Sequence, residues 1–515
     1  MKIAIQLPLF AWECLEDHPA LVTIRRVLES IPDAALLDGL RTARGRGRDD
    51  YPVAVLWRVI VLTIILRHRD FEACLGELRR NPSLQKLIGI EQPEQIPQGW
   101  NVSRFLEVLG QDPHRTQLQT IFNEMAKRLG HAVPDLGKDT AGDSTWLNAR
   151  RRRCDAAAER QAAAERAAAT APADKPATAG DEKPAGSASA EVPPVDKIAY
   201  DEHGLPQPSG GRKEYTNDEG VVTRVVAWFG YKLHLLVDAK HEVALAYRIT
   251  SPKVGDNEVL PELVDQSKSN LPSGRMRTLA YDKAADDGKV HQKLHAGGIH
   301  PVIQNRTLWK GDTEQMLPGH DGNSNIVYDE AGTVYCYDRV SEPMVRHPMA
   351  YIGHEPARGT LKYRCPALHE GWTCPMSGVC NAGKTYGLTV RVKQAIDLRR
   401  FPSIPRATKQ FERLYKGRPS VERVNARLKI FWGADDGNVT GPARFHALVG
   451  TVMIVHEAFA TVLASLPRRE GTLGKMRLSP IAQAWADQIH GVERPETPPR
   501  RPAKRAARSQ PRLFR

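Results

Sequence analysis

Apolar residues cover nearly every face of Val55-Leu56-Trp57-Arg58-Val59-Ile60-Val61-Leu62 and continue through Ile65-Leu66, which predicts a buried helix. Downstream, Phe71, Cys74, Leu75 and Leu78 return at i, i+3, i+4 and i+7, the stripe of an amphipathic helix. Proline breaks at Asn81-Pro82, Gln92-Pro93 and Ile96-Pro97 end segments, and Asn101-Val102-Ser103-Arg104-Phe105 starts another. Residues from about 20 to 130 therefore read as helical. Further on the pattern changes. Arg224–Trp228 and Tyr231–Val237, separated by Gly230, read as strands, as does Val243–Ile249. Asn257–Leu271 reads as a helix, Arg277–Tyr281 as a strand, Lys289–Ala296 as a helix and Ile299–Ile303 as a strand. Periodicity supports a mixed α/β domain and no more specific fold.

Two stretches break this pattern. Residues 150–212 begin with four arginines and pass into Ala-, Pro-, Gly- and Ser-rich sequence, which predicts a disordered insertion in a surface hairpin. The tail over 469–515 is basic, and from Glu493 on it is Pro- and Arg-rich without apolar periodicity. It is expected to be mostly disordered and to add salt-sensitive DNA affinity.

The chain has 515 residues, 41% hydrophobic and 26% charged, with a formal net charge of +13. That balance favours a polyanionic partner, nucleic acid before membrane. The most apolar run, Val53–Leu66, is interrupted by Arg58 and is too short to span a bilayer. Met1–Leu15 has no clear cleavage site. Seven cysteines in a chain of this length do not make a disulfide scaffold, so a reducing cytoplasm is expected.

Candidate chemistry concentrates in Tyr415-Lys416-Gly417-Arg418-Pro419-Ser420-Val421-Glu422 and Lys429. Lys429 follows Glu422 by seven residues, about two turns at ~3.6 residues per turn, so both project from one helix face with Asn425 between them. Pro419 has no N–H and fits the first turn of that helix. A carboxylate can hold a divalent cation, and Arg and Lys beside it can hold phosphate. The same residues would also make an ordinary solvated helix face. Upstream, Asp282 closes the strand Thr278-Leu279-Ala280-Tyr281, an edge where functional side chains gather. Its plainer reading is a cap on the following turn.

Tyr415, Arg418, Glu422 and Lys429 fall at the spacing Y-x2-R-x3-E-x6-K. This resembles the signature of the DDE transposases of bacterial insertion sequences, in the branch named for those four residues, and other parts of the chain resemble the family in order over roughly residues 50–465. The resemblance implies an RNase H-like core in which Asp282 matches the second aspartate. Gly142-Asp143-Ser144-Thr145 resembles the motif of the first, although Leu136-Gly137-Lys138-Asp139-Thr140-Ala141 lacks the expected apolar run, which keeps Asp139 as a rival. Asp238 and Asp256 stand where the family tends to carry Asp, and Asp256 also reads as a helix N-cap. His234 either approaches the site or is a structural strand histidine.

On this resemblance Asp143, Asp282 and Glu422 are catalytic and hold Mg²⁺ or Mn²⁺, while Tyr415, Arg418 and Lys429 grip DNA phosphates or support Glu422. The implied architecture is α/β. It runs from an N-terminal helical region (1–130, a candidate for DNA-end binding) to the first part of the core (131–305). A Cys-containing β-rich insertion (306–400) and the catalytic and C-terminal helices (401–468) follow. The implied function is metal-dependent cleavage and strand transfer at insertion-sequence ends, on double-stranded DNA, by a homodimer in the bacterial cytoplasm at the nucleoid, with no membrane role. A non-catalytic DNA-binding relative and a metal-dependent nuclease without strand transfer are the alternatives. Within the insertion Cys336, Cys365, Cys374 and Cys380 form a candidate structural zinc site, with His347, His354 and His369 as further ligands. Their spacing contains no C-x2-C pair, so unpaired cysteines in a β-rich insertion are the rival reading.

Overall fold

The computed structural model describes residues 19–46, 51–150, 198–217, 222–311, 313–319, 325–436, 438–465 and 472–473. The described chain opens with α1 (Pro19–Ser30), α2 (Ala34–Arg44), α3 (Val53–Ile65), α4 (Phe71–Arg80), α5 (Pro82–Ile88), α6 (Gly99–Leu109) and α7 (His114–Ala132). All of α3 except Ala54 and Arg58 is buried, as its all-round apolar pattern requires. Cys74, Leu75 and Leu78 turn the buried face of α4 inward, behind the Asp70 cap. Pro82 both ends that helix and starts the next, where its missing N–H costs nothing.

The central sheet follows. It contains β1 (Asp139–Asn148), β2 (Ser209–Thr216), β3 (Val222–Asp238) and β4 (Ala244–Thr250). After α8 (Asp256–Asn270) come β5 (Thr278–Tyr281), α9 (Gly288–Ala296) and β6 (His300–Ile303). β3 lies antiparallel between β4 and β1, and β1, β5 and β6 run parallel. The order β4-β3-β1-β5-β6, with three antiparallel strands leading into strand–helix–strand, is an RNase H-like core. β2 pairs with the half of β3 that runs past the end of β1, so the two form a ribbon beyond the sheet.

Three expectations need correction. The two strands expected on either side of Gly230 are one strand of 17 residues. Gly230 marks a close approach and not a turn, since a Cβ there would lie 2.0 Å from the Leu147 carbonyl oxygen. β1 forms without the apolar run expected of it, because Ala141 and Leu147 supply its core contacts and Gly142 leaves room for the Tyr281 ring. Ser209–Arg212, expected to be disordered, belong to β2. Residues 198–208 of the same stretch are also described, with Tyr200 bridged to Pro206 and Leu205 buried, whereas 151–197 and the tail from 474 lie outside the described residues.

The insertion after β6 is β-rich, as expected. β7 (Glu314–Met316), β8 (Ile326–Asp329), β9 (Val334–Asp338) and β10 (Val345–Pro348) make one antiparallel sheet. β11 (Ala350–Glu355), β12 (Thr360–Arg364) and β13 (Thr389–Lys393) make another, with the short α10 (Pro366–Glu370) and α11 (Ser377–Cys380) between its last two strands. Ile326, Tyr328, Val334, Leu361, Val390 and Phe401 give it a core of its own. Asp286 ties it to the central sheet. Its buried carboxylate accepts from Arg399 Nε at 2.9 Å, Arg406 Nη2 at 3.0 Å and the Arg306 amide at 2.7 Å, and faces His291 Nε2 at 3.0 Å. Burial works to raise this carboxyl, but His291 and the arginines hold it below its ordinary value.

The described chain closes with α12 (Lys409–Tyr415), α13 (Pro419–Ile430) and α14 (Pro442–Ala464). α14 is long and apolar enough to cross a membrane. In this fold it packs against α1, α3, α6, α7 and β4 at the centre of one hydrophobic core. That core also takes in α13 and one face of the sheet, so the N-terminal helices share it.

Glu457 in α14 is fully buried, neither carboxyl oxygen has a hydrogen-bond partner, and burial raises its pKa well above the ordinary value. A carboxyl that binds its proton more tightly when folded stabilises most below its unfolded pKa, and that contribution is lost as pH rises. Glu457→Gln, which is neutral throughout, should therefore melt above the wild type at about pH 8, with the gap closing towards about pH 4. Thermal unfolding by circular dichroism checks this; a gap that does not change with pH would contradict it.

Candidate active site

Pro419 occupies N1 of α13, so the helix starts where the sequence predicts. α13 lies against β1 and β3, and this brings Arg418 to Asp143. Arg418 Nη2 donates to Asp143 Oδ2 at 3.0 Å, and Nη1 donates to Glu422 Oε1 at 2.5 Å. One guanidinium thus joins a central strand to the first turn of a helix. The two acids differ in access: the Asp143 side chain is 17% exposed and that of Glu422 is 54% exposed, so Glu422 is the one solvent reaches freely.

Asp282 arrives from β5. Asp139, Thr140 and Ala141 of β1 pair in parallel with Thr278, Leu279 and Ala280. Continuing that step sets Gly142 level with Tyr281, and Asp143 level with Asp282. The electrostatics agree. Burial pushes the Asp143 carboxyl up to about 6 against the opposing pull of Arg418 and the Ser144 amide, and the charges of Asp282 and Asp256 add to the rise. Asp282 Oδ1 also accepts from the Ala284 amide at 2.9 Å, so its capping role and its place beside Asp143 coexist. Tyr415 ends α12, stacked on Phe411 at 5.8 Å. Burial raises its hydroxyl pKa; Arg418 opposes the rise, and Asp282, Asp143 and Glu422 add to it. Tyr415 therefore shares one neighbourhood with all three acids.

The other candidates are placed differently. Lys429 pairs with Asp435 at 3.4 Å and lies over the Trp146 ring at 4.7 Å, further along α13 from the acids. Burial lowers its pKa against the pull of Asp435. Asp139 sits at the start of β1 and accepts from Thr278 Oγ1 at 2.7 Å, at the end of the strand away from Arg418. Asp238 is buried and accepts the Gly137 amide at 2.7 Å and the Lys240 amide at 2.9 Å, a structural role. Asp256 does not cap its helix; the N-cap is Gly255. Its carboxylate instead faces Lys232 Nζ at 2.7 Å and His234 Nδ1 at 3.2 Å. Burial works to raise Asp256, but His234 and Lys232 hold it well below the carboxylate range. His234 is fully buried, with Nε2 2.9 Å from Thr250 Oγ1. The Lys232–His234–Asp256 cluster was not legible in the sequence as a group; the alternation of Lys232 and His234 on β3 was its one local sign.

The family model described as the transposase DDE domain matches residues 196–457. The chain belongs to the DDE transposases. The matched stretch contains Asp282 and Glu422 and begins after Asp143, so Asp143 rests on the strand register and on Arg418. A search of curated proteins finds no match. Transposases act on DNA, and the net charge of +13 suits that partner.

Hard divalent cations are the metals that carboxylate oxygens favour, and such an ion would offset both the burial that mainly raises the Asp143 carboxyl and the charges of Asp282 and Asp256 that add to it. The acids of this transposase form a neighbourhood more open than the expected shared-cation cluster. Among the described residues no three His, Cys, Asp or Glu side chains are gathered closely enough to hold an ion as they stand. Two of the three acids are bridged by Arg418. The zinc expectation meets the same limit. Burial, then the neighbouring Cys365, Cys374 and Cys380, push the Cys336 thiol up to about 12, so the four are neighbours. They are free thiols, and among the described residues they are not gathered closely enough to hold an ion as they stand. Cys365 instead accepts from Asn381 Nδ2 at 3.5 Å, and Cys380 from Asn325 Nδ2 at 3.8 Å.

Gly142 is the residue whose size the site constrains most. A Cβ there would lie 2.5 Å from Tyr281 Cε2, in a ring that is fully buried. Gly142→Ala should destabilise the transposase by about 1–3 kcal/mol. Urea unfolding measures this; an unchanged midpoint would contradict the packing described.

Proposed function

We propose that this transposase cleaves DNA strands at the ends of an insertion sequence and joins them to target DNA in a divalent-metal-dependent reaction. The observation that carries this reading is the single guanidinium of Arg418 held between Asp143 and Glu422, beside Asp282. Carboxylates from a central strand, its parallel neighbour and a helix, with an anion-binding fork among them, suit phosphoryl transfer.

Asp143, Asp282 and Glu422 would hold Mg²⁺ or Mn²⁺, which when bound supplies Lewis acidity at the phosphoryl group and lowers the pKa of water. Arg418 presents a planar fork that fits a phosphodiester as well as it fits a carboxylate, so it can turn from the acids to DNA. Tyr415, whose pKa is raised, keeps its proton and can donate it in a hydrogen bond to a phosphate oxygen. Asp256, held ionised by Lys232 and His234, keeps further negative charge near Asp143. Lys429 contacts the phosphate backbone further from the cut. Two copies would pair two transposon ends, in the bacterial cytoplasm where the chromosome lies.

Asp282→Asn and Glu422→Gln should each lower strand cleavage of end-bearing DNA by about a thousand-fold, equivalent to ~4 kcal/mol, while DNA affinity holds. A gel assay with Mg²⁺ and labelled DNA reads both cleavage and joined product. Wild-type cleavage by Glu422→Gln would overturn the assignment, and release of ends without joining would make the protein a nuclease.

A further inference from the structure

A second feature lies further along the two elements that carry Asp143 and Glu422. Trp146 stands three residues after Asp143 on β1, and Lys429 stands seven after Glu422 on α13. At ~3.3 Å and ~1.5 Å per residue, each step is about 10 Å. The Lys429 ammonium lies 4.7 Å over the Trp146 ring, and Trp146 stacks on Trp228 with centroids 5.3 Å apart and planes 22° apart. Lysine, indole and indole thus form a column. Trp228 belongs to the part of β3 that runs past β1 and pairs with β2, where Val222 and Val225 are 45% and 46% exposed. Both indoles are half-buried, with the Trp228 Nε1 enclosed, so part of each ring still meets solvent.

We propose that the Lys429–Trp146–Trp228 column is a track for single-stranded DNA leaving the acids. Unpaired bases would stack on Trp228 while the backbone passes Lys429. Aromatic faces that continue a cationic path bind single strands without regard to sequence, because every base has a π-face. At the ~3.4 Å axial rise per nucleotide of a duplex strand, about 10 Å from the acids is about three nucleotides, and an extended single strand covers it in fewer. The chain's net charge of +13 favours the same polyanion. This inference rests on the proposed cleavage site, and its test is independent of cleavage.

The test uses the full chain and two DNAs, a blunt duplex and the same duplex with an unpaired single-stranded tail carrying 2-aminopurine. Wild type should quench the 2-aminopurine and bind the tailed DNA more tightly. Trp228→Ala should lose the quenching and about ten-fold of the tailed-DNA affinity, with blunt-duplex binding little changed. Trp228→Phe, which keeps an aromatic face and guards against misfolding, should retain most of both. Equal quenching and affinity in wild type and Trp228→Ala would overturn the track and leave the cleavage site standing. Loss of quenching in a protein that never cleaves would leave the track standing and overturn the cleavage site.

Discussion

The guanidinium of Arg418 is the contact on which the site depends. Packing β1, β5 and α13 together places three carboxylates in one neighbourhood, and like charges in a partly enclosed space repel. Burial raises the Asp143 pKa most, and the charges of Asp282 and Asp256 add to that rise. Arg418, anchored just before the helix that Pro419 starts, neutralises two of those acids at once. Because it answers to both a strand and a helix, it fixes their relation as well as their charge.

The fold supplies the frame for that contact. α14 threads the core shared by the N-terminal helices, the sheet and α13, so α13 is held by the largest apolar mass among the described residues. The insertion has its own core and meets the sheet through Asp286 and its arginines. A buried carboxylate with several donors is a demanding joint, since removing any one donor leaves charge unmatched. It lies just after Asp282, so the same loop serves both the insertion and the acids.

How much of this was legible in the sequence follows from how local each signal was. Pro419 announced α13, and the run Thr278–Tyr281 announced the strand that Asp282 ends, because both depend on neighbouring residues alone. β1 was obscured because its central residues are small. Gly142 accommodates Tyr281 from another strand, and no local pattern encodes that fit. Gly230 looked like a break because its close partner, the Leu147 carbonyl, is distant in sequence. Asp256 resembled a cap because its true partners, Lys232 and His234, belong to β3. The four cysteines were seen to cluster in sequence, and they are neighbours in space, where Cys365 and Cys380 accept from asparagines and Cys336 donates to the His347 carbonyl.

On the proposed function, Asp143, Asp282 and Glu422 act as one divalent-ion site. Mn²⁺ binding to the protein–DNA complex, followed by electron paramagnetic resonance, tests it most directly in wild type and in Asp143→Asn, Asp282→Asn and Glu422→Gln. Each substitution alone should weaken Mn²⁺ binding by about ten-fold or more, consistent with ~1.4 kcal/mol or more per lost charged ligand. Mn²⁺ affinity that is the same in all four proteins would contradict it.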